Sequence, residues 1–435
     1  MADTPTPSDV TSLQIAGVDV DLASVLYALT YNHGRADVAD QGSASSCTLT
    51  LQAPGLVLDS AQVGNTLTVE VVGLPAFAGD ITDVVLTHPT VAAGDPVVAQ
   101  YDLTAAGVLA RSGVAPVGVD TWPTETAHDR ALRVLADTAL PAVVQGGGAL
   151  SVLARDPDPT DALTALGELA ADTGAALVDT PAGAVLLQYL DARSIGTVFT
   201  SWAQVVGSWA AFVGSWALVV EPVATPLLIP AGAVAFEPEW SSRLGGVVND
   251  VSLSYGIAPD AGTQPTYTAD DPVSVAARGR RHYGASTKLA DLESAVWRTQ
   301  LILSRQAEPR WTLGGVSVLM YLLNEWTKAA VVALQIGDRV ALESLPDPAP
   351  TAPGFLVVEG WQDSHTPGSG YVRTFSLSDP RMSFAVVTWQ GLVTNPVTWA
   401  QAQGTWVDLM TATDLTRAYA GYGYGPYGSG NYGTS

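Results

Sequence analysis

Histidine is the side chain best suited to acid–base chemistry near neutral pH and to binding metals. The chain of 435 residues contains five histidines, and no two of them share a helical turn: His33, His88, His128, His282 and His365. The sequence also lacks a Gly-x-Ser-x-Gly elbow, a His-Glu-x-x-His zinc motif, a phosphate-binding loop and an EF-hand loop. We therefore predict that the protein is not an enzyme, with no catalytic residues, no metal ligands and no cofactor.

Clusters of charged residues are weaker candidates for chemistry. The pairs Asp156-Pro-Asp158 and Asp270-Asp271 could bind calcium, although helix caps and turns are the more frequent roles of such residues. The only basic cluster in the sequence, Arg278-Gly-Arg-Arg-His282, could meet a phosphate or an acidic neighbour; a solvated turn or a salt bridge within an assembly is the simpler interpretation. A glycosidase needs two opposed carboxylates, and 42 acidic residues leave no particular pair to nominate.

The overall charge limits the kinds of partner that the protein can bind. With 19 basic and 42 acidic residues the net charge is −23, so a nucleic-acid-binding surface, which needs clustered Lys and Arg, is not expected. The acidic excess fits a soluble surface, or a channel wall that must not hold a passing polyanion. The single cysteine, Cys47, excludes an internal disulfide and a cysteine-based zinc site. The longest apolar stretch, around 202–220, is interrupted by Gly, Ser and Gln, so no membrane span is predicted.

Two short tracts repeat a unit in which Ser or Thr precedes Trp. The first tract places its tryptophans seven residues apart, and its conformation stays open between a helix and a repeated turn. Such tryptophans can cover the apolar surface of their own domain, but their recurrence beyond the last strand pattern favours docking onto neighbouring proteins. The predicted docking residues are these tryptophans and three tyrosines of the glycine-rich terminus: Trp202, Trp209, Trp216, Trp389, Trp399, Trp406, Tyr422, Tyr424 and Tyr427.

Alternation and turn residues divide the chain into β-rich and helical segments, so the predicted fold class is α+β and mainly β. The segments are an N-terminal arm (1–9), a β-rich domain (10–118), an α+β insert (119–195), a Trp-repeat insert (196–222), a second β-rich domain with helices (223–380) and a Trp- and Tyr/Gly-rich extension (381–435).

Helical spacing of apolar residues predicts several helices. In the insert, Thr124 and Thr160 are the expected caps of two helices, and a hairpin joining 175–178 to 185–189 follows. The other predicted helices cover 104–111, 291–305 and 321–332.

A series of short motifs occurs in a fixed order over about residues 10–410. They are Phe77-x-Gly-Asp-Ile-Thr-Asp-Val, Tyr101-Asp-Leu-Thr-Ala-Ala-Gly, Trp122-Pro-x-Glu-Thr, Gly246-Val-Val-Asn-Asp-Val, Ile336-Gly-Asp-Arg-Val and the Thr-Trp-Ala repeats. Together they resemble minor tail proteins of actinobacterial siphophages, which are similar to the baseplate-hub or tail-tip hub family.

This resemblance implies an assembly. In that family, two tube-like β-barrel domains per subunit form a trimeric ring of pseudo-sixfold symmetry below the tail tube. It therefore implies a homotrimer at the distal end of the phage tail in the virion, with 10–118 and 223–380 as its barrels. Its charge of 3 × −23 = −69 suits a lumen through which DNA passes without specific binding. The implied partners are the distal tail protein, the tape-measure protein and receptor-binding proteins.

An alternative function is recognition of the host. The Trp and Tyr clusters would then bind cell-wall glycan, because aromatic side chains and glycine-rich segments also occur on glycan-binding surfaces. For the terminal Tyr-Gly run, disorder or order induced by a partner is the simpler interpretation. No appended peptidase or lysozyme domain is recognisable, so cleavage of the cell wall is not expected.

Overall fold

The structure, a computed structural model, describes residues 9–36, 41–89, 97–146, 150–189, 226–235, 240–242, 244–257, 263–309, 311–313, 315–343, 355–366 and 370–379. Both tryptophan tracts and the tyrosine-rich terminus lie outside these ranges. Within them, no helix has the length and apolarity needed to cross a membrane.

The first half of the chain is built of strands with one covered face. Its elements are β1 (Val10–Ile15), β2 (Val18–Asp19), β3 (Leu26–Gly34), β4 (Ser46–Pro54), β5 (Thr66–Val71), β6 (Leu74–Thr87), β7 (Val98–Gly107) and α1 (Val108–Ser112). In β4, the buried residues Cys47, Leu49 and Leu51 alternate with Ser and Thr, as the two-residue period of a half-covered strand requires. The helix predicted over 104–111 is wrong at its start, because residues through Gly107 remain paired within β7.

The insert contains both predicted helices. Its elements are β8 (Pro116–Val117), β9 (Glu125–Thr126), α2 (Ala127–Thr138), β10 (Ala142–Gln145), β11 (Ser151–Val152), β12 (Thr160–Asp161), α3 (Ala162–Thr173), β13 (Ala176–Asp179) and β14 (Val185–Gln188). The predicted caps are wrong by one or two residues. Thr126 caps α2, because the Thr124 hydroxyl instead accepts a hydrogen bond from the Ala154 amide at 3.2 Å. Asp161 caps α3, since Thr160 belongs to β12. The antiparallel hairpin of β13 and β14 is confirmed.

The second half alternates strands and helices. Its elements are β15 (Leu227–Ile229), β16 (Trp240–Ser242), β17 (Asp250–Ser254), β18 (Thr266–Asp270), α4 (Pro272–Arg278), β19 (His282–Ser286), α5 (Leu292–Gln306), β20 (Trp311–Leu313), β21 (Val316–Leu319), α6 (Glu325–Ala333), β22 (Arg339–Leu342), β23 (Leu356–Thr366) and β24 (Gly370–Ser378), with 3₁₀ turns at Ala231–Ala233, Leu244–Gly246 and Met320–Leu322. Helix α5 confirms the prediction for 291–305. The helix predicted at 321–332 begins only at Glu325, after a 3₁₀ turn and the cap Asn324. Helix α4, which the sequence pattern did not predict, is capped by Asp271.

Strands from both halves form one twelve-stranded sheet in the order β15-β22-β23-β3-β4-β7-β6-β5-β1-β2, with β21 attached through β24. The two halves meet where β3 and β23 pair antiparallel, from Gly34 opposite Gly360 to Leu29 opposite His365. The two tube-like barrels implied by the resemblance are therefore not confirmed: along the described strands the pairing path is open, and both halves belong to it.

Glycines permit the close approach of the two halves. A Cβ atom on Gly360 would lie 2.6 Å from the carbonyl oxygen of His33, and one on Gly34, whose φ is +83°, would lie 2.5 Å from that of Glu359. Any larger side chain would push β3 and β23 apart. A single hydrophobic core accordingly runs under both halves, with Leu49 and Phe77 from the first and Val318 and Phe375 from the second.

Candidate functional site

The outer face of the sheet is polar and almost uncharged along its central strands. Across β21, β24, β23, β3 and β4, one row of paired residues reads Ser317, Thr374, Gln362, Asn32 and Ser46. The next row along the central strands consists of Ser364, Thr30, Thr48 and Thr104. We call these two rows, together with Thr50, Gln52, Gln100 and Asp102, the hydroxyl face. Along the described lengths of these strands and of β7, no Lys or Arg points outward.

Side chains of the hydroxyl face bind one another across the strands. Ser46 donates to the Asn32 side-chain oxygen at 2.7 Å, and the Ser317 and Thr374 hydroxyls lie 2.9 Å apart. Asp102 accepts one hydrogen bond from Thr50 at 2.7 Å and another from Gln100 at 2.8 Å. The hydroxyl face therefore offers a polyanion no cation to bind, and seven of its side chains already have partners.

Charged residues lie on the opposite, buried face of the same strands. Arg373 of β24 donates two hydrogen bonds to Asp363 of β23, at 2.8 and 2.7 Å, and both side chains are almost fully buried. Arg373 also donates to the Val331 carbonyl at 2.7 Å and lies over the Trp361 ring at 5.1 Å. Burial alone would lower the pKa of Arg373, but the Asp363 carboxylate outweighs burial and raises it. Arg373 is therefore charged inside the core.

Next to this pair lie two buried polar side chains of β3, of which Tyr31 joins the two halves. The Tyr31 hydroxyl makes a short hydrogen bond with that of Tyr371, and burial raises the pKa of both phenols. His33 lies 2.8 Å from the Ala76 carbonyl through Nε2 and 2.7 Å from the Ser45 hydroxyl through Nδ1. Because a carbonyl can only accept, Nε2 carries the proton and Nδ1 accepts from Ser45. Burial lowers the pKa of His33 to about 4, so its ring is neutral at pH 7.

Two further buried carboxylates join the insert and the second half to β3 and β4. Glu359 accepts from Arg35 at 2.7 Å and from Ser378 at 2.7 Å. Asp179 of the insert accepts the Ser45 amide at 2.7 Å, and burial raises its pKa to about 6 despite this bond and one from Leu109. We call Arg35, Glu359, Asp363, Arg373, Tyr31, Tyr371, His33 and Asp179 the buried seam. Its groups hold three parts of the chain together and are sealed from substrate, so they offer no acid–base chemistry.

Three of the other histidines have ordinary structural roles. His128 binds the Gly146 carbonyl, His365 stacks on Tyr27 and His282 lies 3.0 Å from an Asp250 oxygen. In the part of the chain that the structure describes, no three His, Cys, Asp or Glu residues are grouped to hold a metal.

The basic cluster forms ion pairs within its own chain. Arg278 binds Glu308 at 2.8 Å, and Arg280 binds Asp250 and Asp270 at 3.1 and 3.0 Å. The charges of Arg278 and Arg280 are therefore compensated locally. The nine predicted docking residues at the tryptophans and tyrosines fall outside the described ranges, and their role stays a prediction.

Sequence reasoning missed the hydroxyl face and the buried seam. A signal for each was present in Tyr371-Val-Arg-Thr-Phe-Ser-Leu377, where strict alternation places Arg373 with the buried aromatic residues and Thr374 with the exposed ones. The partner Asp363 lies ten residues earlier, across a hairpin, and its pairing was not readable from spacing.

The twelve-stranded sheet and the α+β insert together form a fold that is also found in phage tail proteins of known structure. The chain is similar in structure to the 43 kDa tail protein of prophage MuSo2 from Shewanella oneidensis, with a TM-score of 0.57, 10% identity, and coverage of 86% of this chain and 99% of that chain. It is also similar to a tail protein from Neisseria meningitidis, with a TM-score of 0.57, 12% identity, and coverage of 85% and 95%. At such identity the likeness is one of fold. No protein-family model and no curated protein sequence matches the chain.

Proposed function

We propose that this protein is a structural, non-enzymatic component of a phage tail, a hub at the distal tail tip. In this proposal it forms a trimeric ring below the tail tube and anchors the distal tail protein, the tape-measure protein and receptor-binding proteins. Two observations support it: the fold is shared with two tail proteins over nearly their full length, and the motif order of the sequence resembles tail-tip hubs. The buried seam suits a load-bearing part, because it ties both halves and the insert into one body.

The hydroxyl face is the observation that carries the proposed role in DNA passage. Proteins bind DNA mainly by replacing its counterions with Lys and Arg. On the hydroxyl face, outward Ser, Thr, Asn and Gln side chains accompany Asp102, without a basic residue along the described strands. If it lines a channel, DNA slides past a hydrated wall, and a trimer charge of 3 × −23 = −69 adds weak repulsion. The tryptophans at 202, 209, 216, 389, 399 and 406 and the tyrosines at 422, 424 and 427 are the proposed docking segments for partners.

The mass in solution and the position in the virion test this function together. Light scattering on the purified chain of 45.0 kDa should give 3 × 45.0 = 135 kDa, and a cryo-EM map of the tail should show threefold density at its distal end. A stable monomer in solution together with a single, off-axis copy in the tail would refute the hub.

Binding of the purified protein to isolated host walls separates the hub from glycan recognition. Loss of such binding in a Trp389→Ala, Trp399→Ala, Trp406→Ala variant, with assembly unchanged, would favour recognition of glycan over docking.

A further inference from the structure

The far end of β6 is a strand edge that the rest of the described chain leaves open. Strand β5 pairs with β6 only as far as Asp80, and Gly64 and Asn65 extend the contact to Ile81. From Asp83 to Thr87, β6 pairs with β7 on one side, and among the described residues no strand pairs with its other side. An open edge of this kind is a template for another strand.

The hydrogen bonds show which backbone groups face the open edge. The Val84 amide donates to the carboxylate of its own neighbour, Asp83, at 2.9 Å, so it points away from β7. Antiparallel pairs alternate between bonded and unbonded residues, so the amide and carbonyl of Leu86 point the same way. The edge therefore offers a donor and acceptors at alternate positions, which is the pattern that an added strand needs.

Each face of this strand end carries one exposed apolar residue. Leu86 is paired with Tyr101 on the core side of the sheet and is 49% exposed, while Val85 is paired with Asp102 on the outer side and is 45% exposed. A strand added beside them would bury part of both side chains, and this removal of apolar surface from water would stabilise the complex.

Charge indicates which strand fits. Residues 1–110 contain twelve Asp or Glu residues and only one Lys or Arg, and that residue, Arg35, is buried against Glu359. The carboxylate of Asp83, in β6 itself, lies beside the open edge. A second copy that paired through this same edge would bring its own Asp83 close to this one, and the like charges would repel. The strand at the other end of the sheet, β15, is also a poor mate, because Pro226 and Pro230 flank it and lack amide donors.

We propose that the edge from Val84 to Thr87 binds, by strand addition, an extended segment of a different protein that carries Lys or Arg beside β-branched residues. The backbone bonds give the affinity, Val85 and Leu86 contribute apolar contact, and Asp83, together with the acidic excess of residues 1–110, selects the basic segment. The proposal goes beyond the hub function and does not depend on it, because it concerns the chemistry of one edge.

Fluorescence anisotropy with labelled peptides tests the edge on the full-length protein. The probes are an alternating Thr-Val peptide with Lys at both ends and the same peptide with Glu at both ends. The Lys peptide should bind about tenfold or more tighter than the Glu peptide, with affinity falling as salt rises. Equal affinity for the two peptides, or binding of neither, overturns the proposal.

Three variants locate the binding. Leu86→Pro removes the amide that faces the edge without removing a bond to β7, and Leu86→Lys repels a basic strand while keeping the amide. Both should abolish binding of the Lys peptide, and circular dichroism should show that Leu86→Lys, at least, remains folded. Val114→Lys, with the same charge change at a distant exposed site, should bind normally. Loss of binding in Val114→Lys, retention in both Leu86 variants, or self-association of the wild type through this edge would overturn the proposal.

Discussion

The buried ion pair between Arg373 and Asp363 makes the strongest quantitative prediction. Asp363→Asn keeps the shape of the side chain but leaves the Arg373 guanidinium charged in the core, next to the Trp361 ring. Removing one partner of a buried pair costs about 3–5 kcal/mol, because the remaining charge has lost both water and its counter-ion. Arg373→Met strands the Asp363 carboxylate and should cost a similar amount.

The double variant Arg373→Met, Asp363→Leu removes both charges together. Its main loss is the hydrogen bond to the Val331 carbonyl, so it should be destabilised by only about 1–3 kcal/mol. The two single variants would sum to about 6–10 kcal/mol, which leaves a coupling energy of at least about 3 kcal/mol.

Urea unfolding, followed by the fluorescence of buried tryptophans such as Trp361, measures these free energies. Asp158→Asn is the matched control, because Asp158 pairs with Arg155 at the surface, and its removal should leave the midpoint unchanged. A cost below about 1 kcal/mol for Asp363→Asn, or single-variant costs that simply add in the double variant, would refute the reasoning from burial.

Three further predictions follow from the same strands. The pKa of His33 is lowered to about 4, so the contribution of this residue to stability is complete above the ordinary pKa of 6.5 and is lost as the pH falls towards 4. Between pH 7 and pH 4 the free energy of unfolding of the wild type should therefore fall by about 3 kcal/mol more than that of His33→Gln. Equal losses in urea titrations of the two proteins would contradict this. A Thr48→Lys, Thr104→Lys, Gln362→Lys variant should gain DNA binding in gel shifts, and the logarithm of its affinity should fall with the logarithm of salt with a slope of up to about 3. The control variant, with Gln, Gln and Asn at the same positions, should not bind. DNA binding by the wild type at equal salt would contradict the proposed role of the hydroxyl face. Burial raises the pKa of the Cys47 thiol, so a thiol reagent should label it only on unfolding, and rapid labelling of the native protein would show that β4 is not covered.

The sequence predicted helices and strands correctly where the determining residues lie within a few positions of one another. Helix α5 and the hairpin of β13 and β14 are where the sequence placed them, because apolar spacing and turn residues act over a few positions. The errors occurred where competing local signals were close together. Thr124 and Thr126 are both able to cap α2, and only the Ala154 amide, which binds the Thr124 hydroxyl, decided between them.

The sequence alone determined three features: the alternation of Thr and Ser with apolar residues, the scarcity of Lys and Arg, and the order of the motifs. These features led to the mainly β fold class and to the hypothesis of a tail protein. Only the tertiary structure decided that β3 pairs with β23, more than 300 residues further along the chain, and that both halves share one sheet. Side-chain period tells which residues face the core, but not which strand lies alongside. The ion pair of Asp363 and Arg373 likewise depends on which strands lie side by side. The open edge of β6 depends on where the pairing with β5 ends.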